Sequence, residues 1–492
     1  MSLSGGLPRL VVAGVASGVG KTTIASGLMA ALAAQGLRVQ GYKVGPDYID
    51  PTYHRAATAR PSYNLDTWLS SQALVRKRFD AGMRSADIAI IEGVMGLFDG
   101  RKHTRDRAST AEVARLLNAP VLLVIDVSHM GQSVAALVNG FRNLDPRVQV
   151  AGVILNKVAS ADHEATLRHA IAEWTGTRVL GAIRRDTRLS LPARHLGLVP
   201  APETTVEVQT LGDVIKPAVD IDGIVHLAQS AGPLPELITD TSVQEGEAQG
   251  EGKPRPYHDT QRGEPYHGRG DPCGRPFLQA VSPIRIGLAL DAAFSFYYPE
   301  TLETFAKMGV EIIPFSPLKD SGPPDEADLL YFGGGFPEVF AEQLAENHAM
   351  LTAVRSAVQR GVLVYAECGG YMYLGKCCVD ANNVSHGLLG VLPYTFQMGT
   401  ERAQLGYREL TMVCDTIIGP AGTHLRGHEF HWSHIVDPLL REHAAYRLEG
   451  RENTLEGYAN KTILASYVHV PLAANPDVMT RLIQNCLAQR KA

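Results

Sequence analysis

The 492-residue sequence is poor in cysteine and tryptophan, with six and three. Its cysteines (Cys273, Cys368, Cys377, Cys378, Cys414 and Cys486) are irregularly spaced and form no CxxC pair. A disulfide framework or a zinc site is therefore not expected, and a reducing cytoplasm is the natural setting. Long apolar runs are also missing. None reaches the roughly 18 residues of a membrane helix, and the first apolar stretch, Leu10–Ala16, is too short for a signal-peptide core. Nor is there an excess of positive charge. Lys and Arg total 46 against 51 Asp and Glu, a net charge of −5, so neither nucleic acid nor membrane is expected as a partner.

What remains is an ordinary globular composition, 45% hydrophobic and 20% charged, with enough chain for two large domains. Up to about residue 232, short Val/Ile-rich runs alternate with helical patterns. Leu10–Ala13, Arg38–Lys43, Ile88–Glu92, Val121–Asp126 and Val150–Asn156 read as strands of a covered parallel sheet, and Thr22–Gln35 and Thr110–Leu117 as helices. Residues 233–282 are rich in Gly, Pro and charge and nearly devoid of aliphatics, which predicts a disordered linker. The spacing of His258, His267 and Cys273 within it does not suit a metal site. From 283 to 492 the alternation resumes, with strands at Ile284–Leu290, Val310–Phe315, Asp328–Phe332 and Val362–Ala366 and helices at Leu302–Met308 and Leu351–Gln359. Two doubly wound α/β domains joined by a linker are expected.

The first chemical signal is VVAGVASGVGKTT, a strand, a Gly-rich turn and a helix start. Backbone N–H groups of Gly18, Val19 and Gly20 and the helix N-terminus suit a triphosphate, with Lys21 on the outer phosphates, Thr22 on magnesium and Thr23 beside them. The first glycine stands at Gly14, where the common spacing would put it at Val15. That variant turn resembles the dethiobiotin-synthetase-like branch of P-loop proteins. Glu92 ends an apolar strand, where a carboxylate can hold magnesium directly or through water. Asn156, after another strand, either reads an adenine edge or simply makes a turn; Asp126 either faces metal or caps a helix. Two loops, Tyr42–Pro51 and Glu92–Gly100, carry Lys43, Asp47, Tyr48, Asp50 and Asp99 to the carboxyl edge of the same sheet, where ligands of open α/β sheets bind.

The second signal is VLVYAECGGYMYL, a strand, a sharp turn and a helix with Cys368 at the turn. Small neighbours at Ala366 and Gly370 fit a nucleophile elbow, and a helix N-terminus aimed at the sulfur should lower its pKa. Cys377 and Cys378 read as packed residues. Oxyanion donors are available from the N–H of Gly369 and from the Gly333–Gly335 turn, with Gly335 foremost. His469, 101 residues beyond Cys368 at the end of an apolar strand, is the candidate base.

With these residues in hand, the chain resembles the cobyrinic acid a,c-diamide synthase family. The motifs are the P-loop, YKVGPDYIDPTYH (Tyr42–His54), NLDTW (Asn64–Trp68), EGVMGLFDG (Glu92–Gly100), GGGFPE (Gly333–Glu338), ECGGYMYLG (Glu367–Gly375) and GHEFHWS (Gly427–Ser433). The resemblance implies a dethiobiotin-synthetase-like ATP domain fused to a class I glutamine amidotransferase-type domain. It implies ATP and Mg2+ as cofactors, and glutamine and a tetrapyrrole acid as substrates. Cys368 would release ammonia from glutamine through a thioester with His469 as base. Asp47, Tyr48, Asp50, Glu92 and Asp99 would surround the γ-phosphate, the metal (Thr22, Asp47, Glu92) and the tetrapyrrole carboxylate. Arg408, His428 and His431 match motifs without an assigned role. One departure stands out: Pro471 occupies the place, two residues after the histidine, where class I glutaminases carry Glu. A dyad or a third member from elsewhere follows. The alternatives are a sirohydrochlorin-type ring for the same chemistry, a P-loop switch ATPase, and a binding module with an inactive glutaminase. The oligomeric state is open, a homodimer being one arrangement.

Overall fold

Arg9–Gly14 (β1) is buried along its whole length, as an apolar strand covered on both faces must be. It leads into a helix, Lys21–Ala34 (α1), whose buried face includes Ile24, Leu28 and Leu32. The following strands are Val39–Val44 (β2), Tyr63–Leu65 (β3), Ile88–Glu92 (β4), Val121–Asp126 (β5), Val150–Val158 (β6) and Arg178–Arg184 (β7). All pair in parallel, in the order β3-β2-β4-β1-β5-β6-β7. The helix Asp50–Thr58 (α2) connects β2 to β3. The register Lys43↔Glu92 and Val12↔Glu92 brings the ends of β1, β2 and β4 to one edge. The computed structural model describes residues 6–194, 197–204, 206–236, 283–400, 404–450 and 454–490. From residue 237 on, the expected linker lies outside the described residues, as do His258, His267 and Cys273.

The second domain centres on Arg285–Ala289 (β8), Glu311–Phe315 (β9), Leu329–Phe332 (β10), Leu363–Glu367 (β11), Tyr458–Ala459 (β12) and Ile463–Ser466 (β13). They run in the order β9-β8-β10-β11-β13-β12, with β12 alone antiparallel. Two four-stranded sheets were not evident from the sequence; one holds the antiparallel pair Gln404–Met412 and His424–His431. QLGYRELTM and HLRGHEFH mix polar and apolar residues on both faces, so a search for apolar runs passes over them. Cys377 and Cys378 lie on a short strand, Cys378 fully buried.

The two domains join across a mixed interface. Trp68, fully buried, packs on Tyr407 with ring centroids 4.6 Å apart. The guanidinium groups of Arg101 and Arg426, one from each domain, each lie 5.2 Å from its ring centroid. Contacts of this kind contribute roughly 0.5–2 kcal/mol each. Tyr407 donates to Asp66 at 2.8 Å, Tyr63 donates to Glu303 at 2.6 Å, and Arg78 pairs with the buried Glu300 at 3.3 Å. NLDTW thus serves the interface between the domains.

Candidate active site

The turn after β1 is held from behind. Asn156 donates through Nδ2 to the Val19 carbonyl at 2.8 Å and accepts from the Lys157 N–H at 2.9 Å. Gly20 adopts φ 94°, and a Cβ there would meet Asn156 Nδ2 at 2.5 Å, so the tight turn requires glycine. Asn156 also borders a side cleft of about 410 Å³ with Gly20, Thr23, Arg184 and Leu189. Lys21 curls back to donate to the Ala16 carbonyl at 2.9 Å. Burial, reinforced by the Lys43 ammonium, pulls its pKa down to about 8.

Glu92 is the hub of this edge. Thr22 donates to its Oε1 at 2.7 Å, Lys43 Nζ lies 3.0 Å from the same oxygen, and His54 Nε2 lies 2.7 Å from Oε2. The other ring nitrogen of His54 meets Ser62 Oγ at 2.9 Å. Burial alone would raise the Glu92 carboxyl, but Lys43 and the hydrogen bonds from His54 and Thr22 outweigh it and hold it below the usual carboxylate range. Lys43 pairs as well with Asp50 at 2.6 Å; despite its burial, Asp50 and Glu92 keep it firmly charged. Burial and the neighbouring Asp47 and Glu92 push Asp50 well up. Asp47 accepts through Oδ1 from the N–H groups of Ile49 and Asp50, pinning the start of α2.

Lys21, Thr22, Lys43, Asp47, Asp50 and Glu92 border a cleft of about 550 Å³ that also takes in Gly18, Thr23 and Tyr48, with His54 behind it. Asp99 is not among its walls. It accepts the Gly96 N–H at 2.9 Å and faces a separate cleft of about 430 Å³ beside Val15, although its charge still reaches Lys21. Asp126 caps no helix, so that one of its two expected readings fails: Lys157 curls back to pair with it at 2.6 Å, and it accepts the Ser128 N–H. Magnesium fits this edge in a particular way. Among the described residues no cluster of three or more His, Cys, Asp or Glu is arranged to hold a metal. An ion that takes one or two protein oxygens, with phosphate and water completing its shell, needs no such cluster, and Thr22 Oγ1 and Glu92 Oε1 already adjoin.

The far wall of the same cleft comes from the second domain, through Phe296, His428, Phe430 and His469. Tyr48 stands between: its ring is 5.2 Å from Phe296, stacked, and 5.2 Å from His469. The parallel register Glu367↔Ser466 sets Cys368 and His469 one and three residues past adjacent strand ends. The Cys368 N–H donates to the Ser466 carbonyl at 2.8 Å. Cys368 adopts φ 48° and ψ −102°, the strained turn of a nucleophile elbow, and α3 (Gly369–Tyr373) starts directly after it. Phe332 leads into Gly333–Gly335, and the site of a Cβ on Gly369 lies 3.1 Å from the Gly335 nitrogen, so the two expected oxyanion donors adjoin. A Cβ on Gly334 would sit 2.5 Å from His469 Cε1; the imidazole approaches this turn only because glycine is there.

One expectation fails. The thiol pKa is raised: burial dominates, the Glu338 charge adds to it, and the Gly369 N–H lowers it too little to compensate. A helix of five residues cannot offset the desolvation of a sulfur only 4% exposed. Cys368 rests as a neutral thiol.

His428 exchanges both backbone hydrogen bonds with His469 at 2.9 and 3.1 Å, and their rings stack at 4.9 Å. Burial and His469 push its pKa well down, so it is a neutral platform. His431 stacks on Tyr467 at 3.8 Å, and Arg408 pairs with Glu429 at 2.5 Å. Sequence reasoning gave no part to His54, Phe296 or Glu367. His54 and Glu367 sit inside the quoted motifs, and their polarity within apolar surroundings was the available signal.

A P-loop nucleotide cleft whose far wall carries His469, with a cysteine elbow on the strand next to that histidine's, defines a glutamine amidotransferase-type synthase. Residues 10–199 match the CobQ/CobB/MinD/ParA nucleotide binding domain and residues 285–477 the CobB/CobQ-like glutamine amidotransferase domain. The chain is 40% identical to the cobyrinate a,c-diamide synthase of Dehalococcoides mccartyi strain 195, over 97% of this chain and 98% of that one. It is 43% identical to the hydrogenobyrinate a,c-diamide synthase of Streptomyces coelicolor and 38% identical to the cobyrinate a,c-diamide synthase of Priestia megaterium, over 98% of each chain in both cases. This chain belongs to the cobyrinate a,c-diamide synthase family. Among the described residues no helix is long and apolar enough to cross a membrane.

Proposed function

We propose that this chain converts the a and c acetate carboxylates of a cobyrinic acid-type corrinoid to amides, using ATP and glutamine. The observation that carries the reading is the single cleft bordered by Lys21, Thr22 and Glu92 on one wall and His469 on the other. A carboxylate is a poor acyl donor because oxide would have to leave. Transfer of the γ-phosphoryl group gives an acyl phosphate and ADP, and ammonia then displaces phosphate. Lys21 and the turn N–H groups hold the triphosphate. Thr22 and Glu92 would hold Mg2+, which supplies charge neutralisation on the phosphates. Lys43, Asp47, Tyr48 and Asp50 border the place of the corrinoid carboxylate, whereas Asp99, outside that cleft, acts through its charge on Lys21. Asn156 holds the turn beside the adenine.

In the second domain the Cys368 sulfur attacks the glutamine amide while His469 takes its proton. The N–H groups of Gly335 and Gly369 stabilise the oxyanion. The proton returns to the leaving nitrogen, and water cleaves the thioester to glutamate. Tyr48, its phenol kept protonated by burial, and neutral His428 line the way to the acyl phosphate, and a wall without charge favours NH3 over ammonium. The ammonia passes between the domains without mixing with bulk water. The cytoplasm is the natural setting, and a homodimer is compatible with these roles.

A metal-free ring is the second reading, favoured by the 43% identity to the hydrogenobyrinate synthase. Incubation with Mg-ATP, glutamine and a panel of cobyrinic, hydrogenobyrinic and sirohydrochlorin-type acids tests both by product mass. Two acid-to-amide exchanges on a corrinoid are expected. Amidation of sirohydrochlorin alone would overturn the proposal.

A further inference from the structure

With Pro471 where a carboxylate would normally orient the base, something else must hold His469. Its imidazole is 2% exposed, and its Nδ1 has no hydrogen-bond partner among the described residues. Glu367 Oε2 lies 3.7 Å from that nitrogen, and the carboxylate is itself buried. The carboxylate is fixed on its other sides. Oε1 accepts from Tyr365 at 2.7 Å and from the Val470 N–H at 2.9 Å; Oε2 accepts from Tyr331 at 3.1 Å. Oε2 therefore keeps acceptor capacity on the side where Nδ1 lacks an acceptor. Glu367 also grips the chain next to the imidazole, through the peptide of Val470. His428 and Tyr48 also set their rings against the imidazole, and neither carries a carboxylate.

We infer that Glu367, one residue ahead of the nucleophile, replaces the missing carboxylate as the positioning residue for His469. This rests on the reading of Cys368 and His469 as the glutaminase pair. When the substrate amide enters, the ring moves a few tenths of an ångström and Nδ1–H donates to Oε2. That fixes the tautomer with Nε2 as base and stabilises the imidazolium once the thiol proton arrives. Catalytic hydrogen bonds are commonly long before substrate binds and tighten in the complex. The geometry explains why Pro471 is tolerated: the carboxylate has moved from the histidine's own strand to the neighbouring one, paired Glu367↔Ser466.

The test compares glutamine hydrolysis with ammonium-supported amidation in the full chain. Glu367→Gln keeps an acceptor oxygen for Tyr365 and the Val470 N–H but replaces Oε2 by an NH2 donor and removes the charge. Its kcat/KM for glutamine should fall at least about tenfold, the acid limb of its pH profile should move, and ammonium-supported amidation should stay within about twofold of the parent. Glu367→Asp should recover part of the loss with the parent pH profile. Unchanged glutamine kcat/KM with an unmoved acid limb, or equal loss of both activities in folded protein, would overturn the inference. If Glu367→Gln does not fold, Tyr331→Phe frees Oε2 of one restraint; a loss confined to glutamine supports the inference and parent-like glutamine hydrolysis sinks it. Cys368→Ala is the control for the underlying reading: glutamine hydrolysis surviving that change would topple the Cys–His pair itself, whereas its loss alongside an indifferent Glu367→Gln would topple Glu367 alone.

Discussion

Around Glu92, the side chains of Lys43, Asp50 and His54 form a connected set of close polar contacts, with Lys43 and Glu92 as its charged pair, open on one side to the central cleft. Around Cys368 the sulfur lies 4.0 Å from the Phe430 carbonyl, in a core shared with Tyr371 and Tyr467, and the charges that reach it are carboxylates, Glu338 foremost. Both sites stand at the carboxyl edge of a parallel sheet, so the fold alone does not separate them. The reactions do. Phosphoryl transfer moves formal negative charge between oxygens, and fixed cations facing that path cost no reorganisation as it moves. Ammonia is useful only without a proton, and burial that keeps the thiol and His428 neutral until the sulfur attacks the amide protects it. Tyr48 belongs by sequence to the charged edge and by contact to the dry one, stacked on Phe296 beside His469.

The largest expected effect breaks the comparison at the dry edge. Cys368→Ala should reduce glutamine-supported amidation at least about a thousandfold while amidation from concentrated ammonium persists, read by product mass with each nitrogen source. Failure of ammonium to rescue would mean that the two edges do not divide the labour. At the charged edge, Lys21→Ala should cut amidation from either nitrogen source by roughly a hundredfold or more, with glutamate release from glutamine retained. Equal loss of both activities in folded protein would mean the edges turn over only as a unit. Tyr48→Ala should sharpen the boundary between them. Losing its stacked ring opens the passage, so glutamate should form in several-fold excess over amide; strict one-to-one stoichiometry would remove Tyr48 from that role.

Much of this was legible beforehand where a motif is a local backbone event. The Gly14–Thr22 turn and the Glu367–Gly370 elbow are each set by a few adjacent residues, and small residues mark them. Asn156 could be placed at a strand end but not assigned, because its bond to Val19 spans 137 positions. The same holds for His428 against His469, and for Trp68, whose cation partners come from both domains. The direction of the thiol shift was missed for a related reason: the helix N-terminus is visible in sequence, whereas the desolvation that overrides it depends on how tightly the second domain closes.

The smallest effect is a pair of pH slopes of opposite sign. Lys21 is pulled down to about 8, first by burial and then by Lys43, while Glu92, Asp50 and Asp99 oppose the shift. In the role proposed for it, its charged form binds the triphosphate, so kcat/KM for ATP, which reports the free enzyme, should fall as pH rises through about 8, by no more than about tenfold per unit. At saturating ATP the bound phosphates favour the ammonium, and kcat should hold to higher pH. The thiol at 368 is shifted the other way and must lose its proton to react, so kcat/KM for glutamine should be level or rising over the same interval. Initial rates from pH 7 to about 9, one substrate limiting at a time, give both slopes. Parallel declines would mean that one group governs both edges, and the contrast between an edge built on buried lysines and carboxylates and one with a neutral nucleophile would lose its basis.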